Sequence, residues 1–166
     1  MTTTTTITTT TMDSPVGTLT LTAVDGRLTG LHMDGQRHAP STSADWERDD
    51  AGLAAIVEQL EAYFAGSRAT FDVPLDLAGT DFQRRVWAGL LEIPYGETTS
   101  YGELARRVGR PGASRAVGLA NGRNPVAIIV PCHRVIGANG TLTGYGGGLD
   151  RKVWLLDHER ARRADS

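Results

Sequence analysis

The sequence predicts an α+β protein, with a small amino-terminal β-sheet and helix domain followed by a mainly helical carboxy-terminal domain. Three observations predict it. Residues 12–34 alternate apolar and polar positions on either side of Asp25-Gly26, the pattern of a β-hairpin. Leu53, Ile56, Val57, Leu60 and Phe64 then follow helical spacing up to Gly66. Beyond residue 79, helix-capping motifs and Gly/Pro punctuation mark out several short helices.

Each element has a local reason. Met1–Thr11 is almost pure threonine and lacks the basic and apolar regions of a secretory signal, so residues 1–11 read as a disordered leader, with Met12 as a plausible natural start. Residues 35–51 are polar and contain Pro40, which reads as a loop. Phe71, Val73, Leu75 and Leu77 alternate around Pro74 as a strand or extended linker, and the first domain, 12–79, ends near Gly79. The second domain, 80–166, opens with the capping box Thr80-Asp81-Phe82-Gln83, whose helix buries Phe82, Val86, Trp87 and Leu90 before Pro94. Ser100-Tyr101-Gly102-Glu103 is a second box, opening a short helix that Gly109 stops. After Arg110-Pro111-Gly112 a third helical segment runs from Ala113 to Asn121, and the pair has the outline of a helix-turn-helix.

Composition narrows the function classes. The 166 residues are 40% hydrophobic and 22% charged, with no stretch approaching a membrane span. One cysteine forbids an internal disulfide and a Cys-rich zinc site, and fits a reducing cytoplasm. The net charge of −2 conceals four Arg against eleven Asp/Glu in residues 1–79, and thirteen Lys/Arg against eight Asp/Glu in residues 80–166. Eight arginines lie between Arg84 and Arg134, which a phosphate-binding surface needs and which a solvated face would also show. In the third helical segment Ala113, Ala116, Val117, Gly118 and Ala120 are small, and only Arg115, Asn121 and Ser114 have polar reach. A helix this bare cannot read base edges, so any contact with DNA is nearly sequence-blind.

The chemistry concentrates after Val126-Ala127-Ile128-Ile129-Val130, an apolar run between Pro125 and Pro131 that fits a buried strand. It delivers Pro131-Cys132-His133-Arg134-Val135. A thiol is mostly protonated at neutral pH, so a nucleophilic Cys132 needs a base, and His133 is the adjacent candidate, acting through a water if the chain is extended. Taken alone, a lone cysteine is more often a small buried hydrophobe.

Pro131-Cys132-His133-Arg134-Val135 resembles the active-site signature of the O6-alkylguanine-DNA alkyltransferases (methylated-DNA–protein-cysteine methyltransferases). The flanks resemble the same family: Arg115-Ala116-Val117-Gly118 in the helix-turn-helix, Asn124-Pro125 as its hinge, Gly144-Tyr145 in the active-site loop, Trp154 to Glu159 in the last helix, and Tyr101. The match runs from about Thr80 to Glu159 and only in outline before that. It implies a winged-helix-like helix-turn-helix, and a protein that binds double-stranded DNA through the minor groove with a flipped base. That protein would carry the alkyl group of O6-alkylguanine, and of O4-alkylthymine, irreversibly onto Cys132. In the roles this implies, His133 deprotonates Cys132, Glu159 orients His133, Tyr101 donates to the leaving base and Asn124 bridges helix-turn-helix and active-site turn. Arg115 fills the vacated stack, with Ala116 and Gly118 against the DNA, while Val135, Tyr145, Gly146 and Gly147 line the base pocket.

The implied reaction uses no cofactor or metal, stops after one turnover, and is carried out by a monomer that can cluster on DNA, in the cytoplasm and away from membranes. Some relatives have serine where Gly146 stands, so the donor to O6 is open, and the Gly146-Gly147-Gly148 run predicts a loop that orders on binding DNA or on alkylation. Other readings are a non-catalytic alkylguanine-binding module, which lacks the acceptor cysteine, a helix-turn-helix regulator, and a cysteine hydrolase. The alkyl-transfer reading requires a cavity beside Cys132 large enough for a nucleobase.

Overall fold

Asp25 (φ 50°) and Gly26 (φ 79°) both adopt the left-handed conformation, as a two-residue hairpin turn between β2 (Leu19–Val24) and β3 (Arg27–Met33) requires. The chain is described here from a computed structural model covering residues 6–36, 44–137, 140 and 145–164, with side chains through 162. β1 (Thr8–Met12) runs antiparallel to β2, from the Thr8–Ala23 pair to Met12–Leu19, and β4 (Glu47–Arg48) adds a short parallel edge, giving the order β3-β2-β1-β4. Residues 8–11 are therefore sheet and not part of a disordered leader. Threonine is β-branched, which favours the strand, and Thr9 and Thr10 are tied further by hydroxyl bonds to the Leu21 carbonyl (2.8 Å) and Asp50 (2.7 Å).

α1 (Asp50–Phe64) is capped by Asp49, whose carboxylate accepts from the Gly52 amide, and buries Leu53, Ile56, Leu60 and Tyr63. The extended segment beyond it joins the sheet only at Leu75, through bonds between Leu28 and residues 74 and 76. α2 (Asp81–Leu91) has both halves of the expected capping box, Gln83 N–H to Thr80 Oγ1 at 3.1 Å and Thr80 N–H to Gln83 Oε1 at 3.0 Å. β5 (Thr99–Ser100) and α3 (Tyr101–Arg107) follow. Ser100 accepts from the Glu103 amide, but the Glu103 carboxylate is engaged by Arg106 and Arg107. α4 (Ser114–Gly122) completes the helix-turn-helix, and α5 (Leu149–Ala164) closes the fold.

Residues 126–130 do not form the expected strand. Only Val126 bridges to the sheet edge: the Leu31 amide donates to Pro125 O (2.9 Å) and the Ala127 amide to Leu31 O (3.0 Å). The next residues turn sharply, and Val135–Ile136 (β6) pairs in parallel with β5. An apolar run between prolines is a statement about burial, and a buried turn satisfies it as well as a strand does. The pairing nevertheless covers β3's free edge and docks the amino-terminal sheet directly onto the segment that carries Cys132. No described helix is long and apolar enough to cross a membrane.

Candidate active site

Two consecutive tight turns present Cys132. The Ile129 amide donates to Ala127 O (2.8 Å) around Ile128, which sits at φ 70°; the Cys132 amide donates to Val130 O (2.8 Å) around Pro131, at φ −81° and ψ 66°. Both are γ-turns, the first of the rare positive-φ kind. A β-branched residue there costs about 1–3 kcal/mol and persists only where its surroundings fix it. Here Ile128 is fully buried, and the Asn124 amide spans the turn, donating to Val130 O (2.7 Å) and accepting from the Val126 amide (3.0 Å). Asn121, from α4, donates to Cys132 O at 3.3 Å. Asn124 thus braces the turn itself, while Asn121 ties it to the helix-turn-helix.

Cys132 opens a single 3-10 turn, Cys132–Arg134, rather than an extended chain. Burial pushes its thiol up; the Asn124 amide, the Tyr145 hydroxyl and the Lys152 charge pull the other way without overcoming it. The Tyr145 hydroxyl is buried beside the sulfur yet stops short of a well-formed hydrogen bond to any described group. Lys152, fully buried on α5, donates to Val135 O at 2.7 Å. The resting sulfur is therefore a thiol, surrounded by groups that would stabilise its anion.

Behind it, His133 Nε2 lies 2.7 Å from Glu159 Oε2, and both side chains are fully buried. Glu159 collects further donors: the Tyr63 hydroxyl (2.6 Å), Arg134 Nε (2.8 Å) and Nη2 (3.1 Å), and the Gly96 amide (3.3 Å). Burial opposes its ionisation, but the hydrogen bonds from His133 and Arg134, with the Arg134 charge, hold the carboxyl well below the usual carboxylate range. Burial also lowers the His133 pKa below the ordinary histidine value, against the pull of Glu159. An ionised carboxylate only accepts, so neutral His133 carries its proton on Nε2, and Nδ1, buried with no hydrogen-bond partner among the described residues, is left as a base.

The thiol opens onto a cavity of about 790 Å³, within the size range of small-molecule sites. Its wall brings together Tyr101 from the first turn of α3, Ala116 and Gly118 from α4, Asn124, Cys132, Tyr145, Gly146 and Gly147. Four expected residues stand outside that wall, His133 and Glu159 behind the sulfur and two others. Val135 is buried with its carbonyl taken by Lys152, and Arg115 is exposed on the outer face of α4. Gly147 sits in a tight place: a Cβ there would meet Met33 Sδ at 2.6 Å and the Tyr145 ring at 2.9 Å, so a neighbour would have to shift. Arg151 fastens the same turn, donating to the Asp34 and Gly147 carbonyls at 2.6 and 3.3 Å. Gly144 and residue 143, part of the loop expected to order on binding, lie outside the described residues.

Seven of the eight arginines between 84 and 134 are exposed, and the eighth, Arg134, is buried. Arg134 donates to Ile93 O (2.7 Å) and lies over the Tyr95 ring, so it is an internal clamp and not a phosphate ligand. Sequence reasoning missed Arg134, Tyr63, Asn121 and Lys152. For Lys152 a signal existed: with Leu155, Leu156 and Glu159 it occupies the buried stripe of α5 at helical spacing. No cluster of three or more metal-binding side chains occurs among the described residues.

A lone thiol with a histidine–carboxylate pair behind it and a cavity large enough for a nucleobase before it, framed by a helix-turn-helix, fits a DNA-binding protein with a candidate nucleophile. Residues 81–161 match the family model for the DNA-binding domain of 6-O-methylguanine DNA methyltransferase, and residues 7–77 match the model for its ribonuclease-like domain. The chain belongs to this 6-O-methylguanine DNA methyltransferase family. It is 60% identical over 152 residues to the methylated-DNA–protein-cysteine methyltransferase of Mycobacterium bovis (92% of each chain), and 51% identical over 147 residues to that of Methanosarcina acetivorans (89% and 94%). Among solved structures, Mycobacterium tuberculosis OGT in complex with DNA superposes with a TM-score of 0.87 at 58% identity, covering 94% of this chain and 93% of the other.

Proposed function

We propose that this protein repairs DNA by direct reversal, transferring the alkyl group of O6-alkylguanine to Cys132 in a single irreversible turnover. The observation that carries the reading is the Cys132 thiol facing the cavity, with the ionised Glu159 and the free Nδ1 of His133 behind it.

In the proposed mechanism duplex DNA meets the exposed face of α4 through its minor groove, the damaged base leaves the stack for the cavity, and Arg115 takes its place in the helix. The small residues Ala116 and Gly118 let the backbone approach. His133 Nδ1 takes the thiol proton through a bound water, and Glu159 holds the imidazole in the required tautomer. The sulfur then displaces the alkyl carbon in line: an S–C bond forms as the C–O6 bond breaks. Tyr101 donates a proton to the base, which leaves as neutral guanine, and the proton held by His133 restores the tyrosine. Lys152, Asn124 and Tyr145 stabilise the sulfur while it carries negative charge. O4-alkylthymine presents the same alkyl–oxygen bond and is a second substrate. A thioether offers no leaving path, so each molecule acts once, as a monomer, in the reducing cytoplasm that keeps Cys132 a thiol.

The test is intact mass after mixing with duplex DNA containing O6-methylguanine. The expected result is a gain of about 14 Da on the peptide holding Cys132, one hydrogen replaced by methyl. No gain under saturating DNA refutes the proposal.

A further inference from the structure

The Glu159 carboxylate is held from both halves of the molecule. Its Oε2 accepts from three groups, the hydroxyl of Tyr63 (2.6 Å), His133 Nε2 (2.7 Å) and, at a longer 3.1 Å, Arg134 Nη2. Tyr63 belongs to α1 of the amino-terminal half, 96 residues away in sequence. Tyr63 is fully buried, and its ring is fixed edge-on against Phe64 and Tyr95 with Phe71 and His158 beside it. Burial and the negative Glu159 raise its pKa well above the ordinary tyrosine value, so the hydroxyl stays protonated and is a permanent donor.

We propose that Tyr63 is a positioning residue for the alkyl transfer, setting the basicity of His133 through the Glu159 oxygen that the two share. The inference rests on the repair reading above and gives the amino-terminal half a part in the chemistry. Hydrogen bonds to one carboxylate oxygen compete for its charge: what Tyr63 withdraws is not available to stabilise an imidazolium at His133. The other charged and titratable groups around the pair are Arg134 on the active-site turn, Tyr95 after α2, and Lys152, His158 and Arg162 on α5. Of these only Arg134 also bonds the carboxylate, through Nε to Oε1 and Nη2 to Oε2, so it keeps Glu159 ionised when Tyr63 is altered.

The experiment is the pH dependence of single-turnover alkyl transfer from O6-methylguanine duplex DNA, for wild type, Tyr63→Phe, and protein carrying 3-fluorotyrosine at position 63. Phenylalanine keeps the ring and removes the donor; fluorine keeps the shape and makes the hydroxyl a stronger donor. Rates are taken from the time course of the fraction that becomes alkylated, so unfolded molecules do not enter them. Tyr63→Phe should shift the acid limb of the profile upward, lowering the rate on that limb by about threefold while converging with wild type at alkaline pH. The fluorinated protein should shift it downward. Profiles that coincide with wild type, or that move in the same direction for both changes, overturn the role of Tyr63. Failure of the wild type itself to take up the methyl group overturns the repair reading instead.

Discussion

Replacing Glu159 by glutamine keeps its shape and removes its charge. The carboxylate now accepts from Tyr63, His133, both donors of Arg134 and the Gly96 amide. A glutamine has one acceptor oxygen and one NH2, so in either orientation its amide protons face donors. The Arg134 guanidinium, 8% exposed, loses its counter-charge at the same time. Breaking a buried ion pair by removing one member costs about 3–5 kcal/mol, and for a chain of this size each kcal/mol lowers Tm by about 2–4 °C. The expected result in calorimetry at pH 7 is therefore a Tm lower by roughly 6–20 °C. The deficit should shrink in acid: a carboxyl whose folded pKa is depressed stabilises the fold above the ordinary carboxylate range, and that contribution fades as pH falls toward its folded value. Adding Arg134→Met, which removes the stranded charge, should recover part of the loss beyond additivity. A Tm within about 2 °C of wild type at pH 7, or a deficit that stays constant into acid, would refute the assignment of Glu159 as a buried anionic hub.

The His133 pKa is lowered from its ordinary value of 6.5, so the transfer rate should hold steady from neutral pH down to that value and fall only below it; a rate that already declines above pH 7 contradicts a neutral resting imidazole. Gly147→Ala places a methyl against Met33 and the Tyr145 ring, and should slow transfer with a loss of about 1–3 kcal/mol in urea denaturation. Wild-type rate and stability would show that the turn has room. Arg115→Ala should slow repair of duplex DNA more than repair of single strands, because only the duplex requires extrusion. Equal slowing in stopped-flow assays of both substrates would remove that role.

Local signals in the sequence held up. Asp25-Gly26 makes the hairpin, Thr80 and Gln83 cap each other, and the small-faced α4 exposes Arg115. What failed depended on partners distant in sequence. The threonine run has no apolar alternation to advertise a strand, and forms one because β2 supplies backbone partners. The 126–130 segment has the composition of a strand, but Asn124 closes it into a turn, which no period of hydrophobicity records. Helical spacing in α1 drew attention to Phe64, although Tyr63 is the more deeply buried residue. Its hydroxyl acquires meaning only once α5 brings Glu159 against it. The Cys-His-Arg signature pointed to the proposed nucleophile and base, whereas the inward direction of Arg134 could be read only from the folded chain.

The carboxylate hub also orders events at birth. Its participants come from positions 63, 96, 133, 134 and 159, so the histidine–carboxylate pair behind the sulfur is assembled only after the last helix has emerged and packed. Contacts this remote along the chain form late, after the entropy of closing long loops has been met. A ribosome-bound fragment that already exposes Cys132 therefore holds an unassisted thiol. On the proposed single-turnover chemistry, the thiol would stay idle until synthesis is finished.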